Sequence, residues 1–265
     1  MAPAKGHFVW YELGTTNPGT TAAATAFYRT VIGWTARDAE VPDCQYTIVS
    51  AGETPVAGIM ELPAPVLAAG ARPAWVGYIG VGDVDALAAR VAASGGAIHH
   101  QPEDIPDIGR FAVVADPQGA VFCLFKPFDG MTPPAPGATP GRVGWHELHT
   151  TDREGAFAFY SDLFCWTKTE AIDMGPMGLY QTFATGGPTE AGMVGGMMTK
   201  TDAFPRPAWL YYFNVDDAAA AASRVRDAGG QVLVGPHQVP GGSWIVQCLD
   251  PQGVMFAVVG PNPTG

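Results

Sequence analysis

Asp116-Pro117-Gln118-Gly119 returns 134 residues later as Asp250-Pro251-Gln252-Gly253, and each tetrapeptide is followed by an apolar segment. Working back from it, Pro102, Gly95-Gly96, Pro73-Ala74-Trp75 and Tyr46 find their counterparts at the same offset: Pro236, Gly229-Gly230, Pro207-Ala208-Trp209 and Tyr180. Further upstream, Gly33-Trp34 and Phe27-Tyr28 match Cys165-Trp166 and Phe159-Tyr160 at an offset of 132. Trp10-Tyr11-Glu12-Leu13 matches Trp145-His146-Glu147-Leu148 at 135. Ordered matches at a near-constant spacing mark a duplication. The slip in offset falls at Asn17-Pro18-Gly19, which reads as an inserted turn. The Pro-, Gly- and Ala-rich stretch 129–142 has a linker composition. The expected organisation is therefore one domain over residues 1–128, a linker over 129–142 and a second domain over 143–265.

The local patterns within each copy alternate. Phe8–Leu13 and Val143–Leu148 are short, aromatic and β-prone. Helices are predicted at about Thr21–Ile32 and, capped by Asp152, at Arg153–Phe164. Cys44–Ser50 and Val56–Leu62 read as strands, followed by a strand at Trp75–Val81. Val84, Leu87, Ala88 and Val91 then trace one helical face, stopped by Gly95-Gly96, with a later counterpart at Asp217–Ala228. Strands near Ala97–His100, Arg110–Ala115 and Val121–Lys126 complete the first copy. The consequence is an α+β chain of four βαβββ modules, paired two by two.

Composition narrows the function classes. The net charge of −11 is shared evenly: residues 1–132 carry 7 basic and 13 acidic side chains, and the rest carry 7 and 12. An evenly acidic surface repels phosphate backbones and anionic lipid, so neither nucleic acid nor membrane is an expected partner. No apolar run is long enough to span a bilayer, and Met1–Gly6 has no secretory character. Four scattered cysteines without a CxxC pair fit a reducing cytoplasm.

The first strand, the helix ending in Phe-Tyr before Trp34 or Trp166, the segment Val81-Gly82-Asp83-Val84-Asp85-Ala86 and the Asp-Pro-Gln-Gly turn together resemble the vicinal oxygen chelate superfamily of glyoxalases, bleomycin-resistance proteins and extradiol dioxygenases. The resemblance covers nearly the whole chain twice and is similar to a mycobacterial tandem group. It implies two glyoxalase-like domains, each a pair of βαβββ modules forming a curled half-barrel sheet around a cavity. Many members hold a divalent metal there. The resemblance places those ligand positions on Trp10, Val76, Cys123 and Glu61 in the first copy, and on Trp145, Leu210, Ala257 and Thr199 in the second. Indole and aliphatic groups cannot coordinate a metal, and the Cys123 thiolate with at most one distant carboxylate, Glu61, makes a poor site, so no metal and no other cofactor is expected.

Strand parity, given that alignment, turns Trp10, Glu12, Tyr78, Cys123 and Phe125 into the first cavity and Trp145, Glu147, His149, Tyr212 and Asn214 into the second. The walls are aromatic and apolar, with one acid each, which suits a planar, partly apolar ligand. Glu147 and His149 share one strand face and form a candidate acid–base pair; Gly14 replaces the histidine in the first copy. His146 falls on the opposite face, which argues against a zinc reading of His-Glu-x-His. His99 and His100 are expected in solvent. Three functions stay open: metal-independent binding of an aromatic or hydrophobic metabolite or drug, a lyase, isomerase or dioxygenase-like enzyme, and an interaction or stress protein with vestigial cavities. The sequence is compatible with a monomer or a homodimer.

Overall fold

The computed structural model describes residues 6–41, 44–128, 138–185 and 192–262. The proposed linker therefore lies largely outside the described residues. The first copy contains β1 (Phe8–Thr15), α1 (Pro18–Ile32), β2 (Thr35–Val41), β3 (Cys44–Ala51), β4 (Thr54–Glu61), a short α2 (Ala64–Ala68), β5 (Ala74–Gly80), α3 (Val84–Ala93), β6 (Ala97–Ile105), β7 (Gly109–Ala115) and β8 (Val121–Pro127). The second contains β9 (Val143–Thr150), α4 (Arg153–Phe164), β10 (Thr167–Asp173), β11 (Leu179–Ala184), β12 (Met193–Thr199), β13 (Ala208–Asn214), α5 (Ala218–Asp227), β14 (Gln231–Gln238), β15 (Trp244–Leu249) and β16 (Met255–Gly260).

Each copy makes one open eight-stranded sheet, in the orders β2-β3-β4-β1-β5-β8-β7-β6 and β10-β11-β12-β9-β13-β16-β15-β14. In every module the first strand runs parallel to the last, while the intervening hairpins are antiparallel. The crossover helix between first and second strands makes that parallel pairing reachable. This is the α+β tandem arrangement expected from the duplication. The strands β2 and β10, too polar to register as apolar runs, fill the place that the βαβββ pattern requires but for which the sequence offers no residue range.

The described chain divides into compact units that differ from its sequence halves. One compact unit comprises residues 1–10, 76–133 and 146–209; the other comprises 11–75, 134–145 and 210–265. In the first unit the Tyr160 hydroxyl donates to Asp116 Oδ2 at 3.1 Å and accepts from Trp209 Nε1 at 3.1 Å. Trp166 stacks between Tyr160 and Phe183, with centroids 5.2 and 4.5 Å away. In the second unit Tyr28 donates to Asp250 Oδ2 at 3.1 Å and accepts from Trp75 Nε1 at 2.9 Å. The aromatic, tryptophan and Asp-Pro-Gln-Gly motifs that betray the repeat thus meet as two buried trios. Each trio takes its tyrosine from one copy and its aspartate from the other. Each aspartate also accepts from the backbone of its own turn, through Gln118 and Ala120 or Gln252 and Val254. These bonds answer most of the desolvation cost of a buried carboxylate, although burial still raises both carboxyl pKa values.

The helix ends follow local chemistry. Asn17-Pro18-Gly19 is not a free turn: Asn17 and Thr20 form a capping box, and Pro18 opens α1 three residues earlier than predicted. Aspartates 83, 152 and 217 cap α3, α4 and α5.

Candidate functional site

Strand alternation gathers Trp10, Tyr78, Cys123 and Phe125 in the first unit. Tyr78, Cys123 and Phe125 are buried, and Val9, Trp10, Val76, Phe111 and Val113 are partly buried against them. Tyr78 and Cys123 are register partners on β5 and β8, and the Tyr78 and Phe125 rings meet edge to face at 6.0 Å. The opposite face of β8 carries Phe122 into the helix-side core against Tyr160 and Phe164. The result is a buried aromatic floor with a half-exposed apolar margin.

Glu147 and His149 also lie in this unit. They occupy one face of β9, and His149 Nε2 lies 2.7 Å from Glu147 Oε1 with both side chains buried. A carboxylate only accepts, so this contact fixes the hydrogen on Nε2. Nδ1 is buried without a hydrogen-bond partner among the described residues. Phe204 stacks on the imidazole with centroids 3.6 Å apart, and Lys200 Nζ donates to the Phe204 carbonyl at 3.0 Å. Phe204 has no periodic neighbours and was invisible to pattern reading. Tyr180 covers Gly196, whose register partner is Glu147, so that tyrosine shares the Glu147 face.

His146 occupies the other face, as parity requires. Its ring stacks on Phe8 at 4.1 Å, and Nδ1 donates to the Val194 carbonyl at 2.7 Å. Burial pushes its pKa down to about 4. It is a neutral core histidine.

The second unit holds the remaining candidates. Glu12 is the register partner of Gly58, over which Tyr46 lies. A side chain at Gly14 would collide with Leu62, so the space a histidine would take there is filled. Tyr212 is buried and accepts from Gln247 Nε2 at 2.7 Å. Asn214 lines an open cleft of about 340 Å³ with Val259, Ser243 and the glycines 241, 242 and 260. Its side chain approaches Gly144 too closely for any Cβ there. Trp145 is half-buried.

Trp10 and Val76 supply no donor atom, Cys123 supplies a thiol set in an apolar cluster, and Glu61, at the end of β4, belongs to the other unit. Trp145, Leu210 and Ala257 supply none, and the weak hydroxyl donor of Thr199, at the end of β12, belongs to the other unit. Among the described residues no group of three or more His, Cys, Asp or Glu side chains is arranged to hold a metal ion. The residues present do not fit the divalent metal site that the resemblance implies.

The chain is 33% identical over 260 residues to CFP32 of Mycobacterium tuberculosis, provisionally named a glyoxylase, covering 96% of this chain and 94% of the relative. It is 32% identical over 271 residues to the anthracycline biosynthesis protein DauV of Streptomyces sp., covering 97% and 94%. Among solved structures, the Mn(II)-bound glyoxalase of Novosphingobium aromaticivorans superposes with a TM-score of 0.64 at 16% identity, covering 98% of this chain and 83% of that one. The 2,3-dioxygenase LapB of Pseudomonas sp. KL28 gives 0.63 at 13% identity, covering 98% and 94%. At those identities the superpositions speak for the fold. Residues 13–124 and 142–258 each match the model of one family, and the chain belongs to the Glyoxalase/Bleomycin resistance protein/Dioxygenase superfamily.

Proposed function

We propose that the chain binds a planar, mainly apolar aromatic molecule, without a metal, at the Trp10–Tyr78–Phe125 surface. The observation that carries this reading is a buried floor of Tyr78, Cys123 and Phe125 beneath a half-exposed margin that includes Trp10 and Phe111. Flat π faces and aliphatic edges match fused aromatic rings in shape and polarity. The relative DauV, named for anthracycline biosynthesis, supports a fused-ring ligand of that type. The test is a titration with hydroxylated anthraquinones. Saturable quenching of Trp10 fluorescence is expected, unchanged by EDTA, and Trp10→Ala weakens binding about tenfold, or about 1.4 kcal/mol. Absence of both quenching and thermal shift across the series would overturn the reading.

Acid–base catalysis by Glu147 and His149 is a second reading, favoured by their buried 2.7 Å contact and the unpaired Nδ1. With Glu147 holding Nε2–H, Nδ1 is the atom free to take a substrate proton. It expects deuterium uptake from D2O into a bound α-hydroxyketone, abolished by Glu147→Gln. Equal uptake in parent and variant would rule it out.

A further inference from the structure

The sequence pattern places His100 in solvent, but on the edge strand β6 it pairs with Glu103. Ile98 pairs with Val114, but the register then shifts, so that His100 stands opposite Val113. A second shift places Glu103 opposite Phe111. An unbroken ladder would pair His100 with Ala112 and send it to the helix-packed face. Each extra residue reverses the alternation, and bulges commonly re-aim a side chain in this way. His100 and Glu103 consequently share the face of Val113 and Phe111, both of which pack against the Tyr78–Cys123–Phe125 floor. The imidazole stacks on Phe111, with centroids 5.0 Å apart and planes 15° apart. Its Nε2 lies 2.7 Å from Glu103 Oε2. Arg110 clamps the bulged segment, bonding Asp85, Asp104 and the Pro102 carbonyl.

We infer that His100, held by Glu103 and Phe111, is the hydrogen-bond acceptor for a phenolic or enolic hydroxyl on the ligand of this surface. The inference rests on the proposed aromatic-binding reading and deepens it. Glu103 fixes the hydrogen on Nε2, which leaves the Nδ1 lone pair to accept the ligand's O–H. The side chains are 42% and 65% exposed, so a ligand can reach them. Solvent screens an exposed pair of this kind, so it adds little to folding. The second copy separates scaffold from function. There β14 shifts register at the corresponding places, between Val232 and Val234 and between Val234 and His237. The positions of His100 and Glu103 are taken by Val234 and His237. The bulges belong to the fold, whereas the His–Glu pair belongs to the first copy alone.

The experiment compares 2-hydroxyanthraquinone with 2-methoxyanthraquinone on the full chain, by equilibrium titration. The parent is expected to prefer the hydroxyl compound about tenfold, and its bound visible absorption shifts to the red as the phenol donates. His100→Ala removes the preference and the red shift while keeping the methoxy affinity, and Glu103→Gln reduces both. His237→Ala, at the matching strand of the second copy, changes neither. An unchanged thermal midpoint in His100→Ala secures the folding control. A parent that binds both probes equally, or a preference that survives in His100→Ala, overturns the inference and leaves aromatic binding standing. A parent that binds neither probe overturns the aromatic-binding reading itself, and this inference with it.

Discussion

Burial holds His146 neutral in the fold, with its pKa pushed down to about 4, whereas the unfolded chain protonates it near pH 6.5. Between those values the unfolded state binds the extra proton, so stability is full above about pH 6.5 and falls as the pH drops toward 4. The loss attributable to this residue is on the order of 3 kcal/mol. Asp116 and Asp250, whose carboxyl pKa values are raised by burial, act in the opposite direction. The measurement is therefore a comparison of urea unfolding for the parent and His146→Leu at pH 7 and pH 4.5. The variant is expected to start less stable and to lose markedly less stability on acidification; equal losses would refute the assignment. The two histidines of Trp-His-Glu-Leu-His were separable in the sequence because strand parity sends them to opposite faces. Their chemistry was not, since Phe8 and Phe204 reach them from distant segments.

At the scale of elements, α1 and α4 are repeats of one helix with different ends. Gly33 closes α1 at φ 88°, and Cys165 closes α4 at φ 57°. Glycine adopts the left-handed region freely, while a side chain there costs about 1 kcal/mol or more. Cys165 is exposed, so Cys165→Gly is expected to raise unfolding stability by about 1 kcal/mol, read from the urea midpoint. No change, or a loss, would show that the thiol makes a compensating contact. Helix α4 was legible to the residue because Asp152 and an apolar face mark it from within. The bulges of β6 were not, because register is a property of two strands, and Pro102 was the one local sign that the ladder is interrupted. For the same reason the floor of Trp10, Tyr78, Cys123 and Phe125 could be read from alternation, while His100 and Glu103 could not.

At the scale of the whole molecule, the motifs that reveal the duplication are the ones that join the copies. Tyr28 and Trp75 of the first copy require Asp250, and Tyr160 and Trp209 of the second require Asp116. A fragment of residues 1–128 keeps Tyr28 and Asp116 but leaves each without its partner. A second fragment molecule can supply both. The fragment is expected to sediment as a homodimer or to remain unfolded, and Asp116→Asn should weaken that dimer severalfold. A stable folded monomer in analytical ultracentrifugation would contradict the reciprocal trios.

The composition of the units also sets an order of events during synthesis. The first unit draws on nothing beyond Trp209, so a ribosome can release everything it needs before residues 210–265 have been made. The second unit pairs residues 11–75 with residues 210–265. The aromatic surface of residues 11–75 waits for residues 210–265 before it is covered. A premature stop after Trp209 would yield one finished half of the molecule and one permanently exposed hydrophobic flank, a product suited to chaperone capture and degradation.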